Sequence, residues 1–364
     1  MGSDKRVFNF APGPATMPLE VLERAAAEMT NYGASGMSVM ERSHRGKAYQ
    51  AIFDETVSLI RELMALPDDY EVLLLQGGAH LEFAMVPINL LGAGTQADYI
   101  VNGVWSEKAA EEARRFCQVR IAGSLDEGAA PGVPRQAELD LDPASSYVHY
   151  CSNETVNGIE FPYVPETGRV PLVADMSSHF LSRPVDVSRF GLIYAGAQKN
   201  FGPAGLVVVI VRKDLLGMAS KHWPTMLDYS VHAKAGSAYN TPPTYSIYIA
   251  NLVLKWLERQ GGVEGIEQRN IEKARLLYEA IDGSGGFYTN VVERDCRSRM
   301  NVPFWLADAK LDAEFLAGAD SRGLVQLKGH RLVGGMRASI YNAMPVDGVR
   351  ALVAYMQDFA RTHG

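Results

Sequence analysis

The sequence predicts an α/β fold: a mostly parallel central sheet with helices on both faces, followed by a smaller α+β unit at the C-terminal end. Three observations predict it. Short apolar, β-branched runs bounded by turn residues alternate with stretches of helical spacing up to residue 211. That alternation then stops. Two of the runs, over 170–174 and 192–195, place Asp175 and Lys199 at or just beyond their C-terminal ends. In an open α/β sheet that edge faces the ligand crevice.

Taken in order, the chain opens with an extended, turn-rich segment, Phe8-Asn9-Phe10-Ala11-Pro12-Gly13-Pro14. Apolar spacing predicts a helix over 19–29, with Pro18 as a first-turn proline. A loop over 38–46 carries His44 and Arg45, and a helix follows over 47–65, before Pro67. A strand over 71–75 runs into Gln76-Gly77-Gly78-Ala79-His80 and a helix over 81–91. A glycine turn that opens a helix offers free N–H groups and the positive dipole end to a phosphate. Any strand-to-helix turn can also hold glycine. A strand over 97–101 leads through Trp105 into a helix ending at Phe116. Residues 123–144 are polar and rich in Gly, Pro and Asp, a surface excursion. A strand over 147–150 precedes the loop 151–158, which contains Thr155. The strands flanking Lys199 cover 192–195 and 206–211, with a turn-rich loop between them. An irregular loop over 237–244 holds Asn240 and Thr241. Helices are predicted over 246–260, 263–281 and 346–363, and strands over 287–291, 300–306 and 336–341. The predicted units are 16–260 and 261–364, the latter joined by the segment 1–15.

Composition narrows the function classes. The 364 residues carry a net charge of −7 and 47% hydrophobic residues. Nothing there attracts nucleic acid or an anionic membrane. No apolar run reaches membrane-spanning length, and residues 1–10 lack the apolar core of a signal peptide. Cys117, Cys151 and Cys296 are scattered, without metal-ligand or redox spacing. Reduced, structural thiols and no bound metal fit a cytoplasmic protein.

Lys199 carries the chemical argument. A solvated loop lysine is the competing reading. A lysine at the mouth of two buried strands faces a cleft, because burial without a partner is costly and lowers its pKa. Such an amine is a nucleophile and a base. An acid for a pyridinium nitrogen and a lysine that forms a Schiff base are the pair a pyridoxal phosphate site needs. Asp175 and Lys199 supply both. Ala79, His80, Gln198, Asn240 and Thr241 are candidate phosphate contacts, Thr155 can bond a ring substituent, and Trp105 can stack on the ring. His44, Arg45, His330, Arg331 and Arg337 lie in loops and glycine-rich turns. Each alone reads equally as a surface charge. Together they suit a substrate with two anionic ends, since guanidinium binds carboxylate and phosphate at two points.

The stretches SHRGK, HYCSNET, DVSRFGLIYAGAQKNFGPAGL, YNTPP, RSRMNVPF and LKGHRLVGGMRASIYNAMP resemble the phosphoserine aminotransferase family, of fold type I among pyridoxal phosphate enzymes. The resemblance runs from Phe8 to the C-terminus. It implies pyridoxal 5′-phosphate bound covalently at Lys199, with Asp175 on the pyridine nitrogen. It implies that Asn240 and Thr241 reach the cofactor phosphate of a neighbouring subunit in a homodimer with shared sites. Arg337 would grip the substrate α-carboxylate, and His44, Arg45, His330 and Arg331 would surround the distal phosphate or carboxylate. The implied reaction moves an amino group between glutamate and 3-phosphohydroxypyruvate, giving phosphoserine and 2-oxoglutarate. The resemblance also admits the phosphohydroxythreonine step of vitamin B6 synthesis, on which the sequence is silent. One departure stands out. Where the bacterial family often reads Gly-Gly-Arg-Gly, this chain reads Gly78-Ala79-His80-Leu81, so an arginine charge near the phosphate is lost or becomes a histidine. Two alternatives stay open: another fold-type-I enzyme on a different small amino acid, and a non-catalytic protein that binds pyridoxal phosphate.

Overall fold

The computed structural model describes residues 6–126 and 128–364. The first five residues of the opening segment, and so part of the reading of 1–10, lie outside the described residues, as does Glu127 within the polar excursion.

Seven strands form the central sheet, in the order Tyr70–Gln76, Leu206–Arg212, Leu192–Gly196, Leu172–Asp175, Val148–Cys151, Gln96–Val101, Gln118–Ser124. Leu206–Arg212 runs antiparallel to both neighbours, and every other pairing is parallel. The inner strands are buried on both faces, which is why they read as continuous apolar runs rather than as alternation. Val208, Ile210, Ile193 and Ala195 face a core built with helices Lys47–Leu63 and Thr244–Arg259. Val207, Val209, Leu192 and Tyr194 face the opposite core, with helices Gly78–Leu90 and Val104–Ala113.

The structure corrects the sequence reading at several places. Strand–helix alternation does not continue from residue 151 to the Lys199 strand. A small hairpin, Asn153–Glu154 with Ile159–Glu160, and a short 3₁₀ turn, Val187–Arg189, occupy those connections. Gly158, Pro162, Pro165, Gly168 and Pro184 deny them a helix. An edge strand, Gln118–Ser124, was not expected, because only Ala122 and Gly123 in it are buried; Arg120 turns to Asp98 at 2.9 Å and Asp140 at 3.0 Å. Two further helices were not expected: Tyr229–Lys234 is only six residues long, and Asp312–Ser321 buries only Phe315 and Ala319, which leaves little apolar spacing to read. Pro18 is the N-cap of helix Leu19–Glu28 rather than a residue inside its first turn.

The C-terminal part packs a three-stranded antiparallel sheet, with Asn301–Leu306 between Tyr288–Thr289 and Met336–Ser339, against helix Val346–His363. Phe10 is fully buried in that core, and Phe8–Asn9 pairs with Leu324–Val325. Helix Gly262–Asp282 starts in the first core through Val263 and Ile266, and ends in this one through Leu277 and Ile281.

Candidate active site

Strand Leu172–Asp175 ends in an acid and its parallel neighbour Leu192–Gly196 ends in a glycine. The chain then makes one helical turn, Ala197–Asn200, in place of the expected irregular loop. That turn projects Lys199 into a cavity of about 150 Å³ lined also by Asp175, Ser177, Trp105, His80 and Gln198. Lys199 Nζ donates to Thr155 Oγ1 at 2.6 Å and lies 5.1 Å from the centre of the Trp105 ring. Burial pulls its pKa down, opposed chiefly by Asp175. Burial pushes the Asp175 carboxyl up, opposed by Lys199 and by hydrogen bonds from Ser177. The Ser177 N–H donates to Asp175 Oδ1 at 2.9 Å, and Ser177 Oγ accepts from the Gly196 N–H at 3.0 Å. Ser177 therefore ties the two strand ends together. Its signal in the sequence was its place two residues after Asp175, and it had been given no role.

The glycine turn meets this cavity from the other side. Gly77 and Gly78 have φ of +99° and +62°, so helix Gly78–Leu90 begins at Gly78, earlier than predicted. Ala79 and His80 thus belong to its first turn, whose N–H groups have no intrahelical acceptor. A Cβ on Gly196 would stand 3.5 Å from the Ala79 nitrogen, so the end of this strand lies against the first turn of that helix. His80 packs edge-on against Trp105 at 5.3 Å. Burial, then Lys108, lowers its pKa, so at neutral pH His80 does not restore the missing arginine charge.

A second, wider cleft of about 810 Å³ opens beside the first, with Pro12, Gly13, His330, Arg331 and Arg337 on its walls. Gly13 joins the two: a Cβ there would lie 3.4 Å from Lys199 Cγ, and its φ is +142°. Arg337 is 5% exposed. Its Nη1 donates to the Thr155 carbonyl at 3.2 Å, while its buried Nε has no partner. Among the described residues it makes no ion pair. Burial lowers even its guanidinium pKa. Thr155 bridges the two centres, its hydroxyl on Lys199 and its carbonyl on Arg337. His330 is lowered by burial and then by Arg337 and Arg331.

Four expected residues lie elsewhere. His44 is half-buried and Arg45 exposed in a surface turn, with Arg45 Nε 3.4 Å from His44 Nε2. Asn240 borders a separate cavity of about 350 Å³, and the exposed Thr241 gives its carbonyl to Gln76 Nε2 at 3.2 Å. Neither pair lines the lysine cavity or the arginine cleft.

These residues fit pyridoxal phosphate. A buried acid and a half-buried lysine, neither with an ion pair within 4 Å among the described residues, face one small cavity closed by an indole and bordered by free helix amides. Burial raises the thiol pKa of all three cysteines, so none is set up as a nucleophile. Among the described residues no three His, Cys, Asp or Glu side chains are grouped to hold a metal, and no helix is long and apolar enough to cross a membrane.

Comparison with known proteins gives the family. Residues 7–352 match the class-V aminotransferase family. The chain is 59% identical to the phosphoserine aminotransferase of Azotobacter vinelandii, over 99% of both chains. It is 57% identical to that of Laribacter hongkongensis, over 98% of this chain and 99% of the relative. Among solved structures it superposes on phosphoserine aminotransferase from Bacillus circulans subsp. alkalophilus with a TM-score of 0.97, at 50% identity and 99% coverage of both. The pyridoxal phosphate-bound phosphoserine aminotransferase from Trichomonas vaginalis gives 0.92, at 44% identity, over 97% of this chain and 100% of that one. The chain belongs to the class-V aminotransferases and, within them, to the phosphoserine aminotransferase family.

Proposed function

We propose that the chain is a pyridoxal phosphate-dependent aminotransferase that exchanges an amino group between L-glutamate and 3-phosphohydroxypyruvate, giving 2-oxoglutarate and O-phospho-L-serine. The observation that carries the reading is Arg337: a buried guanidinium with an unpartnered Nε and no carboxylate, one threonine away from Lys199. A buried cation without a counter-ion is costly. An α-carboxylate held there offsets that cost and sets the neighbouring amino group before Lys199.

Bound pyridoxal phosphate supplies a carbonyl for the amino group and a ring that takes up electrons. The protein supplies the rest. Asp175, held by Ser177, keeps the proton on the pyridine nitrogen. Lys199, its pKa lowered by burial, would serve as the base that takes the proton from the substrate Cα and as the acid that returns it. Thr155 aims the amine through its hydroxyl. Trp105 covers the ring, while Gln198 and the amides of Ala79 and His80 hold the phosphate. His330 and Arg331 meet the distal anion of the substrate.

In one chain His44, Arg45, Asn240 and Thr241 line neither the lysine cavity nor the arginine cleft; Asn240 and Thr241 lie behind the glycine turn, beside Gln76 and Gly77. That placement supports a homodimer in which His44 and Arg45 of the partner subunit complete the distal anion site, and Asn240 and Thr241 of the partner subunit complete the cofactor phosphate site. The protein acts in the cytoplasm, with a cofactor unit over 16–260 and a smaller unit over 261–364.

The test is product formation. Purified, cofactor-loaded protein given glutamate and 3-phosphohydroxypyruvate should release 2-oxoglutarate and phosphoserine in equal amounts. Mixing Lys199→Ala subunits with Asn240→Ala/Thr241→Ala subunits should restore part of the activity, since one site of each hybrid is intact. Hybrids that form without recovery would exclude a shared site.

A further inference from the structure

One segment, Ala11-Pro12-Gly13-Pro14, borders the arginine cleft and lays Gly13 against the stem of Lys199. It is anchored at both ends. The Phe10 carbonyl accepts from the Ser339 N–H at 3.1 Å, and the Ala15 N–H donates to the Gln198 carbonyl at 2.9 Å. Between these anchors lie two prolines, which have no N–H to bond. Among the described residues, one hydrogen bond reaches this middle stretch from elsewhere in the chain: the Tyr341 hydroxyl donates to the Pro12 carbonyl at 2.7 Å.

Tyr341 is itself held in place. It is 1% exposed and lies two residues beyond Ser339, on the strand that carries Arg337. Asn301, fully buried, donates from Nδ2 to the Tyr341 hydroxyl at 3.1 Å and to Ser339 Oγ at 3.0 Å. Its Oδ1 accepts from Asn153 Nδ2 at 3.0 Å. With Asn301 as donor, the Tyr341 proton is directed to Pro12. Asn153 opens the hairpin that carries Thr155, and Thr155 holds Lys199 Nζ. One buried network therefore fixes Lys199 twice, at the amine through the hairpin and along the stem through Gly13. A network whose members are all satisfied makes what it joins rigid.

We propose that Tyr341 is a positioning residue for proton transfer by Lys199, holding Pro12 and Gly13 so that the lysine stem keeps its line to the reacting carbon. The inference rests on the aminotransferase reading above. Lys199 serves both half-reactions, so loss of the Tyr341 hydroxyl slows both alike. The α-carboxylate keeps Arg337, so KM stays nearly the same for both substrates.

The test compares Tyr341→Phe with Tyr288→Phe in the cofactor-loaded enzyme. Tyr288 donates to the Met356 carbonyl at 2.9 Å inside the C-terminal core, a buried bond of the same kind away from the segment. kcat and KM are measured with glutamate and with phosphoserine, amide hydrogen exchange is followed over residues 10–16, and stability is measured in urea. In Tyr341→Phe kcat should fall about 10-fold with both substrates, KM should stay within about 2-fold, and exchange over 10–16 should quicken about 10-fold. Tyr288→Phe should lose similar stability yet keep kcat and the exchange of that segment. An unchanged kcat in Tyr341→Phe would overturn the proposal, and so would unchanged exchange over 10–16. An equal loss of kcat in Tyr288→Phe would also overturn it, by making both losses a matter of stability. If the unsubstituted enzyme is idle with both substrates, the aminotransferase reading fails and the catalytic role of Tyr341 fails with it, while the exchange rates still decide whether Tyr341 orders the segment.

Discussion

The lysine cavity and the arginine cleft are built on opposite plans. The cavity stands at the ends of two parallel strands buried on both faces. Its side chains are fixed by local bonds: Ser177 on Asp175 and Gly196, Thr155 on Lys199. The cleft is more than five times larger in volume, and its walls are loops and glycine turns around His330 and Arg331. Proton transfer needs a dry, rigid frame in which an amine and an acid have shifted pKa values. Substrate choice needs cations without a carboxylate of their own, buried at Arg337 and more exposed at His330 and Arg331, and loops can supply more of them from another chain. Thr155 is where the two plans touch.

The comparison can be broken in order of expected effect. Lys199→Ala should keep the fold and hold cofactor noncovalently, while kcat falls on the order of 10⁴-fold, because among the described residues no other amine lines the cavity. Turnover near the unsubstituted rate would remove Lys199 from the chemistry. Asp175→Asn should still bind cofactor, with kcat lower by on the order of 10²–10³-fold, since an amide does not hold a pyridinium proton. An unchanged rate would mean another group contacts the ring nitrogen.

On the cleft side, Arg337→Ala should weaken glutamate and phosphoserine alike, by roughly 10- to 100-fold in kcat/KM, because both carry the α-carboxylate. Arg45→Ala should weaken phosphoserine by a similar factor and glutamate less. Equal losses for both substrates in Arg45→Ala would remove it from the distal site.

The smallest effect sharpens the contrast between dry and wet surroundings. His149 and His179 are buried and neutral, with pKa values pulled down to about 3 by burial. In the unfolded chain they titrate near 6.5. Between those values the unfolded state binds more protons, so stability falls as pH falls below about 6.5. One unit lower, the loss is about 1 kcal/mol for each histidine. His149 Nε2 meets the Tyr194 hydroxyl at 2.8 Å, a bond that an amide can replace. Urea denaturation of His149→Gln between pH 7 and 5.5 should show a shallower loss than the unsubstituted protein. Identical slopes would mean that His149 is protonated without cost in the fold.

The lysine side was the more legible of the two in the sequence. The runs ending before Asp175 and Lys199 are apolar, β-branched and bounded by turns, and a strand buried on both faces leaves that signature. The last helix, Val346–His363, followed from its spacing with the predicted bounds. Connections were harder: the reading carries strand–helix alternation through 151–192 although its glycines and prolines disfavour helix, and nothing local announces the hairpin that carries Thr155 to Lys199. The edge strand Gln118–Ser124 was hidden because it is only half covered. In the site, residue types could be listed, but their neighbours could not. The approach of Gly13 to Lys199 and the isolation of Arg337 are contacts between distant parts of the chain.

The most direct measurement of the central claim is a half-reaction panel. Glutamate, phosphoserine, serine, alanine and cysteine are added separately to the cofactor-loaded protein, and the visible absorption band of the bound cofactor is followed. Glutamate and phosphoserine, each with an anion at both ends, should bleach the band, and the three amino acids without a distal anion should leave it nearly unchanged. Bleaching by serine or alanine as efficient as by phosphoserine would contradict the account, because the arginine cleft would then play no part in choosing the substrate.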